Sequence, residues 1–284
     1  MFSAGSGPPL VVVPGIQGRW EWVRPALERL ELGCRTVSYS LCGDFGSGAV
    51  YERTKGFASY LEQLDDVLDR MGTERAAVLG VSYGGFIALR YAATRPERVS
   101  ALILTSSPSP GWIPTEIQRA YIERPWLGAP KFVLTSPLRL WPELRAAFPS
   151  PVRRLAFLAR HGLRVAAAPM NPGLMASRIR EQQTIDFGPD CARVQAPTLI
   201  VTGDPGLDRI VPVENTLRYL DMIPGAQHAR IPRTGHLGLV TKPDIFAKVV
   251  CAFVTTAGTR DAGCGVRPAH RSAAGAKGGA ACPP

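Results

Sequence analysis

Short apolar, β-rich runs recur along the chain at residues 10–13, 35–41, 76–79, 99–104, 198–201 and 229–231. Helical patterns separate them, the arrangement of strands joined by crossover helices into a mostly parallel sheet. The clearest helical pattern carries Phe57, Tyr60, Leu61, Leu64, Leu68 and Met71 on one face, which should cover the sheet. The expected architecture is therefore α/β, with about six strands and helices on both faces.

The alternation stops between residues 108 and 190, where proline-punctuated helical stretches replace it. This segment reads as an inserted helical cap. From residue 258 onward Gly, Ala, Arg and Pro dominate without apolar periodicity, so a disordered tail is expected. The chain thus divides into a first core part at 1–107, a cap at 108–190, a second core part at 191–257 and a tail at 258–284.

At 284 residues and 45% hydrophobic content the chain can bury one large core and carry a subsidiary lid. The net charge of +10 raises the question of a nucleic-acid partner. Its distribution answers against one: residues 108–190 hold 11 Lys or Arg against 6 Asp or Glu, and no RNA-binding aromatic signature or zinc-finger spacing accompanies them. Within the cap, Arg153, Arg154, Arg160, His161 and Arg164 fall on one arc of a helical wheel, with Leu155, Ala159 and Leu163 opposite. The expectation is a solvated basic face with its apolar side on the core, and a membrane surface is not an expected partner. The cap's large side chains, among them Trp112, Trp126, Phe132, Trp141 and Phe148, are expected to pack it against the sheet domain.

No C-x-x-C pair occurs among the six cysteines, so neither a metal site nor a redox motif is suggested. The N-terminal residues lack the basic and apolar regions of a signal peptide, and no apolar stretch reaches the roughly 20 residues needed to span a bilayer. A cytoplasmic location is expected.

The candidate chemistry begins at Gly80-Val81-Ser82-Tyr83-Gly84, which follows an apolar strand and precedes a helix. A nucleophile elbow needs a sharp turn at that place, with glycines where side chains would collide with backbone. Serine needs a base to take its proton. Of the four histidines, His236 in Thr234-Gly235-His236 follows the last strand and can reach over the sheet's carboxyl edge, whereas His161, His228 and His270 lie in the cap, a strand and the tail. Asp204 and Asp208 both lie in the loop after the strand at 198–201. Asp204-Pro205-Gly206 matches a tight turn, which leaves Asp208 as the expected acid.

The order Ser, Asp, His, together with the strand-elbow-helix segment, D-x-x-V-P at Asp208 and T-G-H, resembles the α/β-hydrolase superfamily over about residues 9–255. That resemblance implies an α/β-hydrolase fold and a Ser82, Asp208, His236 triad. It places Val13-Pro14-Gly15-Ile16-Gln17-Gly18 where the family has its H-G-x-x-G loop, so the backbone N–H groups of Ile16 and Tyr83 should form the oxyanion hole. Pro14 replaces the family's usual His, and the family's first hairpin finds no room before Leu10. The implied activity is hydrolysis of an ester or related acyl bond in a small, largely hydrophobic substrate, without cofactor or metal. Lactonases, thioesterases, carbon–carbon bond hydrolases, some lyases and non-catalytic binding proteins share the fold, so fold alone does not choose among them.

Overall fold

The computed structural model describes residues 1–263. All six expected runs form strands: β2 (Pro9–Val13), β3 (Arg35–Ser38), β4 (Ala76–Val81), β5 (Val99–Thr105), β6 (Thr198–Thr202) and β7 (Gln227–Arg230). A seventh strand corrects the expected number. β1 (Phe2–Ala4) pairs antiparallel with β3, with Phe2 opposite Ser38 and Ala4 opposite Thr36. The run is too short to show a strand pattern. It reaches the sheet because Gly5 and Gly7, at φ 85° and 101°, reverse the chain within a few residues, and Phe2 then packs on Trp20.

The order across the sheet is β1-β3-β2-β4-β5-β6-β7, with every pairing after β1–β3 parallel. From β2 the chain first moves outward to β3, then returns to lay β4 on the other side of β2. Between those two strands the winding reverses, and the loops leaving their carboxyl ends part to open a crevice. Both faces of the sheet are covered, which is why β4 is buried along its whole length.

One face is covered by α2 (Ala58–Arg70) and α3 (Gly84–Thr94), whose Tyr60, Leu64, Leu68, Phe86 and Leu89 meet Val11, Val78 and Leu102. The predicted apolar stripe of α2 is buried as expected, with Met71 packed at its end. The other face is covered by α1 (Arg24–Leu30) and by α12 (Pro243–Gly263), which meet around Leu27, Leu30, Phe246 and Val250. α12 continues past the expected start of the tail, and residues 264–284 lie outside the described residues.

Between β5 and β6 stands a helical layer of α4 (Glu116–Glu123), α5 (Pro125–Ala147), α6 (Pro151–Ala167) and α7 (Pro172–Gln183). The following α8 (Gly188–Arg193) already belongs to the core, since Phe187 and Cys191 are buried against α3. Short helices α9 (Val213–Leu217), α10 (Tyr219–Met222) and α11 (Gly238–Thr241) complete the chain. Among the described residues no helix is long and apolar enough to cross a membrane.

The cap does not sit as its sequence suggests. Its aromatic side chains pack mainly within the cap: Tyr121 meets Phe132 edge-on, and Arg139 lies over the Phe132 ring. Trp126 is 66% exposed. On α6 the apolar arc faces outward: Leu155 and Leu163 lie in solvent beside Arg153 and Arg160, while Arg154 and His161 turn inward. The guanidinium of Arg154 covers the Trp141 ring and donates to the Phe148 carbonyl, and His161 stacks on Phe157. Cation–π and stacking contacts thus claim the inward arc that the apolar residues were expected to fill.

A buried ion pair fastens the cap to the core. Arg178 of α7 donates to Asp44, to the Tyr60 hydroxyl and, at 2.8 Å, to the carbonyl of Ile16 in the loop after β2. Both charged side chains are almost wholly excluded from water. Removing one partner of such a pair leaves the other as an uncompensated buried charge. Arg178→Met should therefore lower unfolding free energy by about 3–5 kcal/mol in chemical denaturation. Adding Asp44→Asn should restore part of that loss.

Candidate active site

Ser82 stands between β4 and α3 with φ of 52°, a left-handed backbone that is uncommon for a residue with a Cβ. Three hydrogen bonds hold it there. Its N–H donates to Thr105 and its carbonyl accepts from Gly85 N–H and from the Ser107 hydroxyl, each at 2.9 Å. Space dictates the flanking glycines. A Cβ on Gly80 would stand 2.5 Å from the Cα of Gly85, and one on Gly84 would stand 2.4 Å from the Pro14 carbonyl oxygen.

The second of these contacts packs the elbow onto the loop leaving β2. A Cβ built on Gly15 would touch the Cβ of Ser82 at 3.5 Å, so Ile16 follows directly beside the elbow. Neither the Ile16 nor the Tyr83 backbone N–H donates a hydrogen bond to another described residue. The Ile16 carbonyl, by contrast, is held by Arg178.

His236 follows β7, and its Nδ1 lies 3.0 Å from Oδ2 of Asp208. The other Asp208 oxygen accepts from the N–H groups of Ile210 and Val211 at 2.9 and 2.8 Å. A carboxylate accepts only, so Nδ1 carries the proton and Nε2 keeps its lone pair. Burial lowers the imidazole's basicity, but the charge and hydrogen bond of Asp208, with the charge of Glu143, more than offset this and raise its pKa above the ordinary value. The Ser82 hydroxyl and His236 Nε2 make no hydrogen bond to each other, a contact that commonly tightens only when substrate is bound.

The other candidates separate cleanly. Asp204 opens the expected turn, with Leu207 N–H bonded back to its carbonyl and Gly206 at φ 78°, and its carboxylate accepts from the Arg233 N–H. His228 lies on β7 with Nε2 at 2.8 Å from the Thr202 hydroxyl. His161 lies in the cap, where burial lowers its pKa to about 4. His270 lies outside the described residues. Among the described residues no cluster of His, Cys, Asp or Glu could hold a metal ion.

The sequence reading missed Glu143. This residue of α5 is fully buried, and both carboxylate oxygens accept from the Leu237 N–H, at 2.9 and 3.1 Å. Burial raises its pKa to about 7, and bonds from the Gly235 and Leu237 backbone with the charge of His236 hold it from rising further. A signal was present: Glu143 is the only acid between residues 125 and 167, a stretch with seven Lys or Arg.

A family model described as the alpha/beta hydrolase fold matches residues 8–243. The chain belongs to the α/β-hydrolase family. The chain is an enzyme of the hydrolase class, like the relatives it matches, and its sheet order fits the family. RutD of Klebsiella pneumoniae strain 342, a proposed carbamate hydrolase, is 30% identical over 255 residues, which cover 86% of this chain and 91% of that one. The esterase EaEST of Exiguobacterium antarcticum superposes with a TM-score of 0.72 at 20% identity, covering 89% of this chain and 94% of its own. Est816, an N-acyl homoserine lactone degrading enzyme, does so at 0.65 and 23%, covering 89% and 95%. At those identities the two structures speak to fold alone.

The buried carboxyl of Glu143 has a consequence for this α/β-hydrolase. A carboxyl whose pKa is raised on folding binds its proton more tightly in the native state, so its contribution to stability falls as pH rises. Relative to Glu143→Gln, the wild type should lose stability between pH 4.5 and about 7. Melting temperatures of both proteins across that window provide the measurement.

Proposed function

We propose that this α/β-hydrolase cleaves an ester or related acyl bond of a small, largely hydrophobic substrate through Ser82, His236 and Asp208. The observation that carries the reading is the strained backbone of Ser82, held at φ 52° by three hydrogen bonds with its side chain within reach of solvent. Such strain persists only where surrounding structure over-determines it.

In the proposed sequence His236 Nε2 takes the proton of the Ser82 hydroxyl as its oxygen attacks the substrate carbonyl. Negative charge moves to the carbonyl oxygen, which accepts from the Ile16 and Tyr83 N–H groups. Each donor of this kind contributes on the order of 100-fold to 1,000-fold in rate. Asp208 holds the imidazole in the required tautomer and stabilises the cation formed when the proton arrives. The tetrahedral species collapses, the leaving group takes the proton from His236, and an acyl enzyme remains on Ser82. Water, deprotonated by the same imidazole, then releases the acid and restores the serine.

A carbamate presents the same carbonyl to the same groups, so the substance named for RutD belongs in a substrate panel beside esters, lactones and thioesters. p-Nitrophenyl esters of increasing chain length, assayed with such a carbamate, would rank the acyl groups.

Ser82→Ala should abolish turnover and labelling by a fluorophosphonate probe while leaving the circular dichroism unchanged, since losing a triad nucleophile costs about a million-fold. More than a few per cent residual activity would end the covalent mechanism. Asp208→Asn should cost up to roughly 10,000-fold in kcat. Asp204→Asn should cost far less, because Asn also suits the first position of its turn.

The raised pKa of His236 sets the pH dependence. The imidazole must be neutral to act as base, so kcat/KM should fall on the acid side with an apparent pKa above the usual value of about 6.5. An acid limb centred below that value would contradict the assignment of the base.

A further inference from the structure

The cap carries most of the molecule's exposed large apolar side chains: eleven of the sixteen among the described residues lie between Ile113 and Leu163. They are not scattered. On α5 the solvent side runs Leu127, Lys131, Leu134, Leu138 and Trp141, at alternating steps of three and four residues. On α6 it runs Val152, Leu155, Ala159 and Leu163, with Arg153 and Arg160 exposed beside them. Only three residues, 148–150, join the two helices. A shallow groove against α4 repeats the chemistry, with Ile117, Tyr121 and Leu127 beside Arg124 and Lys131.

Charge decides what could cover this surface. From residue 125 to 167 there are seven Lys or Arg and one acid, Glu143, which is fully buried beneath the cap. The outer faces of α5 and α6 therefore combine apolar side chains with cations and expose no carboxylate. A second copy of the chain would bring like charges together, which opposes self-pairing. Residues 264–284 contain three Lys or Arg and no Asp or Glu, so they bring no opposite charge to this surface. Apolar side chains interleaved with cations and aromatic rings are the composition of helices that lie in the headgroup layer of anionic bilayers.

We infer that the outer face of the cap is a docking surface for an anionic lipid bilayer. The helices lie on the bilayer and do not cross it: Leu134, Leu138, Leu155 and Leu163 enter the boundary between headgroups and acyl chains while Lys131, Arg153 and Arg160 meet lipid phosphates. This departs from the sequence reading, which set the apolar side of α6 on the core. The surface is independent of the proposed chemistry, because binding can be measured without turnover.

The test is sedimentation of the full-length protein with vesicles of phosphatidylcholine, alone or mixed with anionic phosphatidylglycerol. The wild type should sediment with the mixed vesicles at low salt, far less with phosphatidylcholine alone, and progressively less as salt rises. Lys131→Gln, Arg153→Gln and Arg160→Gln together should weaken partitioning by about five-fold for each cation removed. Leu134→Gln with Leu155→Gln should weaken it at every salt concentration. All five positions are exposed, so melting temperatures and esterase activity in solution should stay at wild-type values. Absence of sedimentation with the mixed vesicles at low salt overturns the inference, as does equal binding by the variants. If light scattering instead shows a dimer that Leu134→Gln with Leu155→Gln dissociates, and vesicles are not bound, the face joins two copies and the lipid assignment fails.

Discussion

Where the loop after β6 meets the loop after β7, two stretches of main chain lie closer than side chains would permit. A Cβ on Gly235 would stand 2.5 Å from the carbonyl of Leu207, and one on Gly203 would stand 2.3 Å from the Thr234 oxygen. The Asp204 N–H donates to that same oxygen at 2.8 Å. This backbone contact continues the parallel pairing of β6 with β7 beyond the strand ends and brings Asp208 to His236. The same device operates on the other side of the crevice, where Gly84 lets the elbow reach the loop carrying Ile16. The proposed catalytic groups are positioned by main chain pressed on main chain, with glycine as the condition at each contact.

The strands and the elbow were legible because their physics is local. A strand buried on both faces must be apolar throughout, and a left-handed serine between strand and helix needs small neighbours, so both leave marks within a few residues. Asp208 was separable from Asp204 for a similar reason, as the turn at Asp204-Pro205-Gly206 accounts for the first aspartate without reference to any histidine. The roles proposed for Ile16 and Tyr83 came from the resemblance to a known family, not from any local pattern.

What stayed hidden depends on contacts distant in sequence. β1 is three residues long and becomes a strand only because β3 offers an open edge. Glu143 bonds to Leu237, ninety-four positions away, and nothing near Glu143 announces that partner. The orientation of α6 was read from amphipathicity on the premise that apolar arcs face inward. That premise fails where Arg154 and His161 find rings to cover, because an aromatic face accommodates a guanidinium or an imidazole as readily as it does an aliphatic chain.

The helical cap between β5 and β6 is not merely laid on the core. Here it reaches into the core's working loops with single side chains: Arg178 holds the Ile16 carbonyl, Glu143 the Leu237 amide, and the Trp22 indole in return donates to Ala168 at the end of α6. Cap and core are consequently not separable modules for recombination. A transplanted cap lacking Arg178 and Glu143 would strand Asp44 without its cation and leave the loops on either side of the crevice unbraced. Exchange of substrate range among such enzymes should therefore proceed by changes within a resident cap, with its anchoring residues kept, in preference to replacement of the whole layer.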